Sequence, residues 1–228
     1  MKSQRERRYA VITGDIVASS RLAVPQRNRL LRVMGESSRL LRGFLGKAVP
    51  LDVDVFRGDS WQMLVTDPPR SLRAALLFRA LLRAKMQSTY FDTRLAIGIG
   101  PADLIPRSRV SEGSGEAFRR SGLSLDGMKK RRMCFSFPEA ATEGELDAIV
   151  HLLDGIVTGW TDRQARAMVG ALRGKTQKEI SVSWGNPPIT QQTAAQHLES
   201  AGWHAVMHGV EAFEEGVTRA LALEGSEA

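Results

Sequence analysis

YAVITGDIV, residues 9–17, is the stretch on which the fold turns. Its β-branched and apolar residues close on Gly14-Asp15, the pattern of a short buried strand that opens into a loop. Downstream, residues 25–48 place leucines, Val33, Met34 and Phe44 at three- and four-residue spacing among arginines, with Pro25 suited to a first helical turn. Two further apolar runs, VDVF from Val53 and WQMLVT from Trp61, flank the turn-rich Arg57-Gly58-Asp59-Ser60 and end at Pro68-Pro69, so they read as a hairpin. Ser71 caps a second helix to about Gln87, apolar along Leu72, Ala75, Leu76, Leu82 and Met86. TRLAIGIG, residues 93–100, is then another strand, with glycines where a second backbone can come close.

Strand, helix, strand, strand, helix, strand is the order of a split βαβ unit. The fold expected is therefore α+β: a ferredoxin-like antiparallel sheet with both helices on one face. A loop (PADLIPRSRVSEGSG), a short helix near residues 116–125, a basic run at 129–132 and the strand-like MCFSF extend this unit. The character changes after Thr142, where helical periodicity takes over. The division expected is a palm-like unit over residues 1–140, a linker helix over 141–160 and a small all-α helix-turn-helix unit over 161–223, with a disordered tail after Leu223.

The net charge of +7 hides an asymmetry. Residues 1–140 hold 26 Lys and Arg against 13 Asp and Glu, whereas the remainder holds 6 against 12. A basic unit suits phosphates on a nucleotide or a polymer, and it suits equally a surface that docks on the acidic half of the same chain. The lone Cys134 excludes a disulfide within the chain and fits a reducing cytoplasm. No apolar run approaches the roughly 18 residues that span a bilayer, and MKSQRERRYAVITG reads as neither signal peptide nor anchor, so no membrane partner is expected.

The chemical clue is a convergence. Asp15 ends the first strand and Asp59 sits at the tip of the hairpin that pairs beside it, so the topology carries two distant carboxylates to one sheet edge. Mg²⁺ takes oxygen ligands, commonly one or two carboxylates with waters and substrate phosphates, and Asp15, Asp59 and the Ile16 carbonyl would suffice. Gly14 and Gly58 allow close backbone approach there, beside Ser60. Each Gly-Asp alone reads as an ordinary turn aspartate; the pair reads as a site. Ser114 and Gly115 lead into a helix whose free amides, with Arg107, Arg109, Arg119 and Arg120, offer a cradle for a triphosphate, or else form a solvated loop.

YAVITGDIVASSRL, FRGDSWQMLV, RLAIGIG and GSGEAFRRS together resemble SatD-like proteins and, more distantly, the palm-type core of nucleotidyl and diguanylate cyclases. The resemblance covers about the first 140 residues and a terminal helix-turn-helix. It implies that Asp15 and Asp59 are the metal aspartates and that a homodimer builds the site; the ligand expected there is a nucleoside triphosphate or related nucleotide, with Mg²⁺. It departs at the hairpin: the family's Gly-Asp-Glu-Phe-Gln is here Gly58-Asp59-Ser60-Trp61-Gln62, without the second acidic residue, which weakens a diguanylate cyclase reading.

WTDRQARAMVGALRGKTQKEISVSWGNPPITQQTAAQHLESAGW resembles the DNA-binding part of sigma-factor-like and response-regulator-like proteins. Lys178 stands in the supporting helix, and Thr190, Gln191, Gln192, Thr193 and Gln196 would face base edges, glutamine being suited to adenine. The charge counts against it: residues 141–210 carry 5 Lys and Arg and 7 Asp and Glu. The expectation is a nucleotide-responsive, DNA-binding transcriptional regulator. Two alternatives stand beside it, an active nucleotidyl transferase or cyclase with no catalytic residue assigned, and a non-catalytic scaffold on a degenerate palm unit.

Overall fold

A computed structural model describes residues 7–56, 58–86 and 91–223; Arg57 of the expected turn, Gln87 at the expected helix end and the tail after Leu223 lie outside the described residues. The architecture is α+β. Strands β1 (Arg8–Ile16), β2 (Asp54–Phe56), β3 (Ser60–Val65), β4 (Thr93–Pro101) and β5 (Met133–Ser136) form one sheet in the order β2-β3-β1-β4-β5. β1 lies in the middle, antiparallel to β3 and β4, while β5 joins β4 in parallel.

Helices α1 (Val24–Leu45) and α2 (Ser71–Met86) share one face, as the split βαβ order requires. Leu30, Met34 and Leu41 of α1 and Leu72 and Phe78 of α2 pack there with Ala10, Ile12, Trp61 and Met63 of the sheet. The opposite face carries α3 (Glu116–Gly127), whose Ala117 joins Tyr9, Val11 and Leu64. Gly98 explains how α3 comes so close: a Cβ there would stand 2.4 Å from the Ser121 nitrogen and 2.7 Å from the Ala117 oxygen. The expectation of a close backbone approach at TRLAIGIG thus has its partner in α3.

The rest is helical: α4 (Ala140–Thr158), α5 (Asp162–Ala171), α6 (Gln177–Val182), α7 (Gln191–Ser200) and α8 (Trp203–Leu223). These helices cover the face of α2 turned away from the sheet, and the apolar core runs unbroken from Ile12 through Leu77 and Leu81 to Met168, Leu198 and Phe213. This is why α2 is buried nearly all round, beyond the stripe its periodicity shows. α4 does more than connect. Its Glu143, Asp147 and Asp154 accept from the backbone nitrogens of Phe137, Phe135 and Arg132 at 2.7, 2.8 and 2.6 Å. Those bonds satisfy donors along and beside β5, an edge strand whose sheet neighbour is β4.

Candidate functional site

Strand alternation puts Tyr9, Val11 and Thr13 on the α3 face, where the Thr13 and Ser121 hydroxyls lie 2.8 Å apart, and Asp15 follows in phase at the end of the strand. Directly opposite Asp15 in the ladder stands Arg94 of β4. Arg94 Nε donates to Asp15 Oδ1 at 2.9 Å and Nη2 donates to Oδ2, a bidentate pair. The hydrogen bond to Asp15 holds the Arg94 guanidinium above its ordinary pKa against partial burial, and the charges of Asp15, Asp126 and Asp59 add to the effect. Both aspartates therefore lie within electrostatic reach of one cation, and that cation is a side chain of this chain.

Asp59 accepts a hydrogen bond from Ser19 Oγ. It also borders a pocket of about 260 Å³ walled by Ser19, Ser20, Leu22, Arg27 and Leu30. Ser60 pairs with Asp15 across the ladder, and Ile16 pairs with Thr93 with its side chain in the core. Gly58 takes φ +84°, the left-handed turn conformation. Gly14 has a packing reason: a Cβ there would meet the Trp61 ring at 2.4 Å and the Arg94 carbonyl at 2.6 Å. Arg94 engages both Asp15 oxygens, and among the described residues no group of three or more His, Cys, Asp or Glu is placed to hold an ion; a Mg²⁺ held by Asp15, Asp59 and the Ile16 carbonyl would have to displace that guanidinium from Asp15.

The expected triphosphate cradle lies elsewhere. The start of α3 packs against Gly100 and its far end reaches Arg94, whose Nη1 donates to the Met128 carbonyl at 3.5 Å. α3 has 12 residues, roughly 18 Å at 1.5 Å per residue, so Ser114 and Gly115 sit at the opposite end of the helix from Asp15. Ser114 closes a small bridge with Leu104, and its carbonyl also accepts from Asp103 at 2.9 Å. Arg109 is tied to Asp54 at 3.2 Å, while Arg107 and Arg119 are exposed. Against the cost of burial, bonds from Ser111 and Arg109 hold the Asp54 carboxyl below its ordinary value. The structure does not bring these residues together with the two aspartates.

α5, α6 and α7 begin on threonine caps. Thr161 accepts from Gln164 N at 3.2 Å, Thr176 from Glu179 N at 3.3 Å and Thr190 from Thr193 N at 3.1 Å, with reciprocal glutamine or glutamate bonds at the first two. Lys178 is exposed on the first turn of α6. On α7, Ala194 and Leu198 face inward while Gln191, Gln192 and Gln196 face solvent. The Thr190 and Thr193 hydroxyls bond each other at 2.9 Å, so both serve the helix start. His197 stacks on Trp184 with ring centroids 5.4 Å apart, and partial burial, with Arg163 nearby, lowers its pKa.

The sequence reading missed Arg94, Ser19 and Asp126. Arg94 left one trace, an arginine at the start of an otherwise apolar strand, which calls for a carboxylate on the neighbouring strand.

The fold and site define a class: an α+β chain with Asp15 paired to Arg94 and Asp59 bonded to Ser19 near one sheet edge, and a helical unit in which α7 exposes a polar face. No protein-family profile matches the chain, and no curated protein matches it. Among solved structures, the guanylyl cyclase Cya2 is 11% identical with a TM-score of 0.43, the match covering 57% of this chain and 74% of that one. The catalytic core of a rhodopsin-guanylyl cyclase with converted specificity, in complex with ATPαS, is 15% identical with a TM-score of 0.40, over 57% and 77%. A bacterial light-regulated adenylyl cyclase is 14% identical with a TM-score of 0.38, over 56% and 42%. No helix among the described residues is long and apolar enough to cross a membrane.

Proposed function

We propose that this chain is a nucleotide-responsive, DNA-binding transcriptional regulator related to SatD-like proteins, with residues 1–140 as the sensing unit, 141–160 as the connecting helix and 161–223 as the helix-turn-helix. The observation that carries this reading is α7: Gln191, Gln192 and Gln196 are exposed on a helix whose inner face and first-turn donors are satisfied within the protein. A supporting helix followed by a second helix with a free polar face is what entry into a major groove requires, and glutamine pairs in bidentate fashion with adenine. The helical unit lacks the positive charge to neutralise phosphates alone. A homodimer on half-sites roughly 34 Å apart, with the exposed Lys178 and the basic surface of residues 1–140, would supply it.

Selection from a random duplex pool followed by fluorescence anisotropy tests this. A recurring two-half-site sequence is expected, and Gln192→Ala with Gln196→Ala should cost about 1–3 kcal/mol of discrimination per base read while leaving weak salt-sensitive binding. No enriched sequence, or an unchanged preference in the double variant, would retire the DNA reading.

The nucleotide part of the proposal places a nucleoside triphosphate at the Asp59 pocket. Any accompanying Mg²⁺ would compete with Arg94 for Asp15. A thermal-shift titration with Mg²⁺ and each triphosphate should raise the midpoint in wild type and less in Asp59→Ala. Equal curves for the two proteins count against it.

A further inference from the structure

A second cavity lies where the sheet-bearing half meets the C-terminal helices, and it does not share a lining residue with the Asp59 pocket. It measures about 390 Å³ and is bounded by α1, α2, α5 and α6. Arg29, Lys85, Arg166, Arg173 and Lys175 all reach its wall beside Trp184, and none of its lining residues is acidic. Cationic side chains gathered around one cavity raise a positive potential there, which the low-dielectric wall strengthens and an anion between them would relieve.

Arg29 Nη2 donates to the Lys85 carbonyl at 2.8 Å, and the neighbours of Arg166, Arg173 and Lys175 leave much of their charge uncompensated. Lys85 Nζ donates to Glu36 at 2.7 Å, outside the lining. Arg166 instead donates to the Trp184 carbonyl, with its guanidinium 4.8 Å above the indole, and Lys175 donates to the Ser183 hydroxyl at 3.2 Å. The nearest acid to Lys175 on α6, Glu179, spends its carboxylate on the Thr176 cap. Arg173 Nε is buried with no hydrogen-bond partner, as is Arg83 Nε, which lies outside the cavity lining. The floor, from Leu81, Val169 and Ile180, is apolar. A cationic rim over an apolar floor beside an indole selects a ligand with an anionic end and a flat apolar body.

We propose that this cavity binds a small aromatic anion bearing at least two negative charges, the chemical class to which mononucleotides belong. It is a separate site from the Asp15 end. Its walls come from α1 and α2 on one side and from α5 and α6, the support of α7, on the other. An anion held by Arg29 and Lys85 together with Arg173 and Lys175 would clamp the exposed helix to the sheet-bearing half.

The test is titration of the full chain with a purine mononucleoside monophosphate, the corresponding uncharged nucleoside and inorganic pyrophosphate, followed by thermal shift and tryptophan fluorescence. The monophosphate should raise the midpoint saturably and change the emission, the nucleoside should do neither, and pyrophosphate should bind more weakly. Arg29→Gln with Lys175→Gln should weaken the monophosphate about tenfold or more with an unchanged far-ultraviolet circular dichroism spectrum; should the pair not fold, Lys175→Gln alone carries the comparison. Trp184→Phe should remove the emission change, and Asp59→Ala should leave binding intact. No midpoint shift at millimolar monophosphate, wild-type affinity in the charge variants, or pyrophosphate binding as tightly as the monophosphate would each overturn the proposal.

Discussion

Arg79 is 1% exposed, and its guanidinium meets two carboxylates from different parts of the chain. Nε and Nη2 donate to Asp92 at 2.8 and 2.6 Å, Nη1 donates to Asp154 at 2.8 Å, and Nη2 also reaches the Thr158 hydroxyl at 2.9 Å. Replacing it with alanine strands two buried carboxylates, a change that typically costs about 3–5 kcal/mol. Urea denaturation of Arg79→Ala should show that loss in the midpoint; a drop below about 1 kcal/mol would mean that water reaches the acids. Cys134 gives a second residue-scale expectation. Burial, reinforced by Asp147, pushes its thiol up to about 12, so almost no thiolate exists at pH 8. Iodoacetamide should alkylate the native protein far more slowly than the urea-unfolded chain, and equal rates would show the strand opening freely. Neither residue announced its role in the sequence, because an arginine inside a leucine-rich helix is also what an exposed helix face looks like. The placing of Asp15 and Asp59 near one sheet edge was legible from a strand and a hairpin turn; the arginine that engages Asp15 depended on a pairing register that only the folded sheet supplies.

At the scale of elements, legibility followed the range of the interaction. β1, the β2–β3 hairpin, α1 and α2 come from local periodicity and turn residues, so YAVITGDIV and its neighbours were sufficient to place them. The Gly98 approach was readable as a need without naming α3 as the partner. The position of Ser114 and Gly115 was not readable, because the direction in which α3 crosses the sheet decides which end faces Asp15. Nor did α4 reveal that its carboxylates cover β5, since acids at such spacing also decorate a solvated helix. Close packing between α5 and α6 makes the sharpest prediction at this scale. A Cβ at Gly170 would stand 2.4 Å from Ile180 Cγ1, so Gly170→Ala must push α6 outward. Overpacking of this kind costs about 1–3 kcal/mol, more than the gain in helix propensity from alanine. A lowered thermal midpoint is expected, and Ile180→Val in the same chain should restore part of it. A Gly170→Ala variant as stable as wild type would show that α6 yields without cost.

The charge asymmetry of the whole molecule has a structural destination. Arg73 pairs with Glu214, Arg79 with Asp154 and Arg131 with Asp147, at 2.7, 2.8 and 2.8 Å, so basic residues of the first half meet acids of the second. Combined with a core that continues from the sheet through α2 into α5 and α8, these pairs bind two regions of different sequence character into one packed body. Cooperativity should follow the packing. Cutting the chain after residue 140 would bare Leu77 and Leu81 of α2 and leave Arg79 with one of its two acids, so that fragment should aggregate. Differential scanning calorimetry of the intact chain should show one transition whose calorimetric and van't Hoff enthalpies agree. Arg73→Ala should lower the midpoint without splitting the peak. Two resolved transitions, or a soluble folded fragment ending at residue 140, would show instead that the helical unit rides on the sheet as an independent body, and a ligand at their junction would then act by joining two bodies.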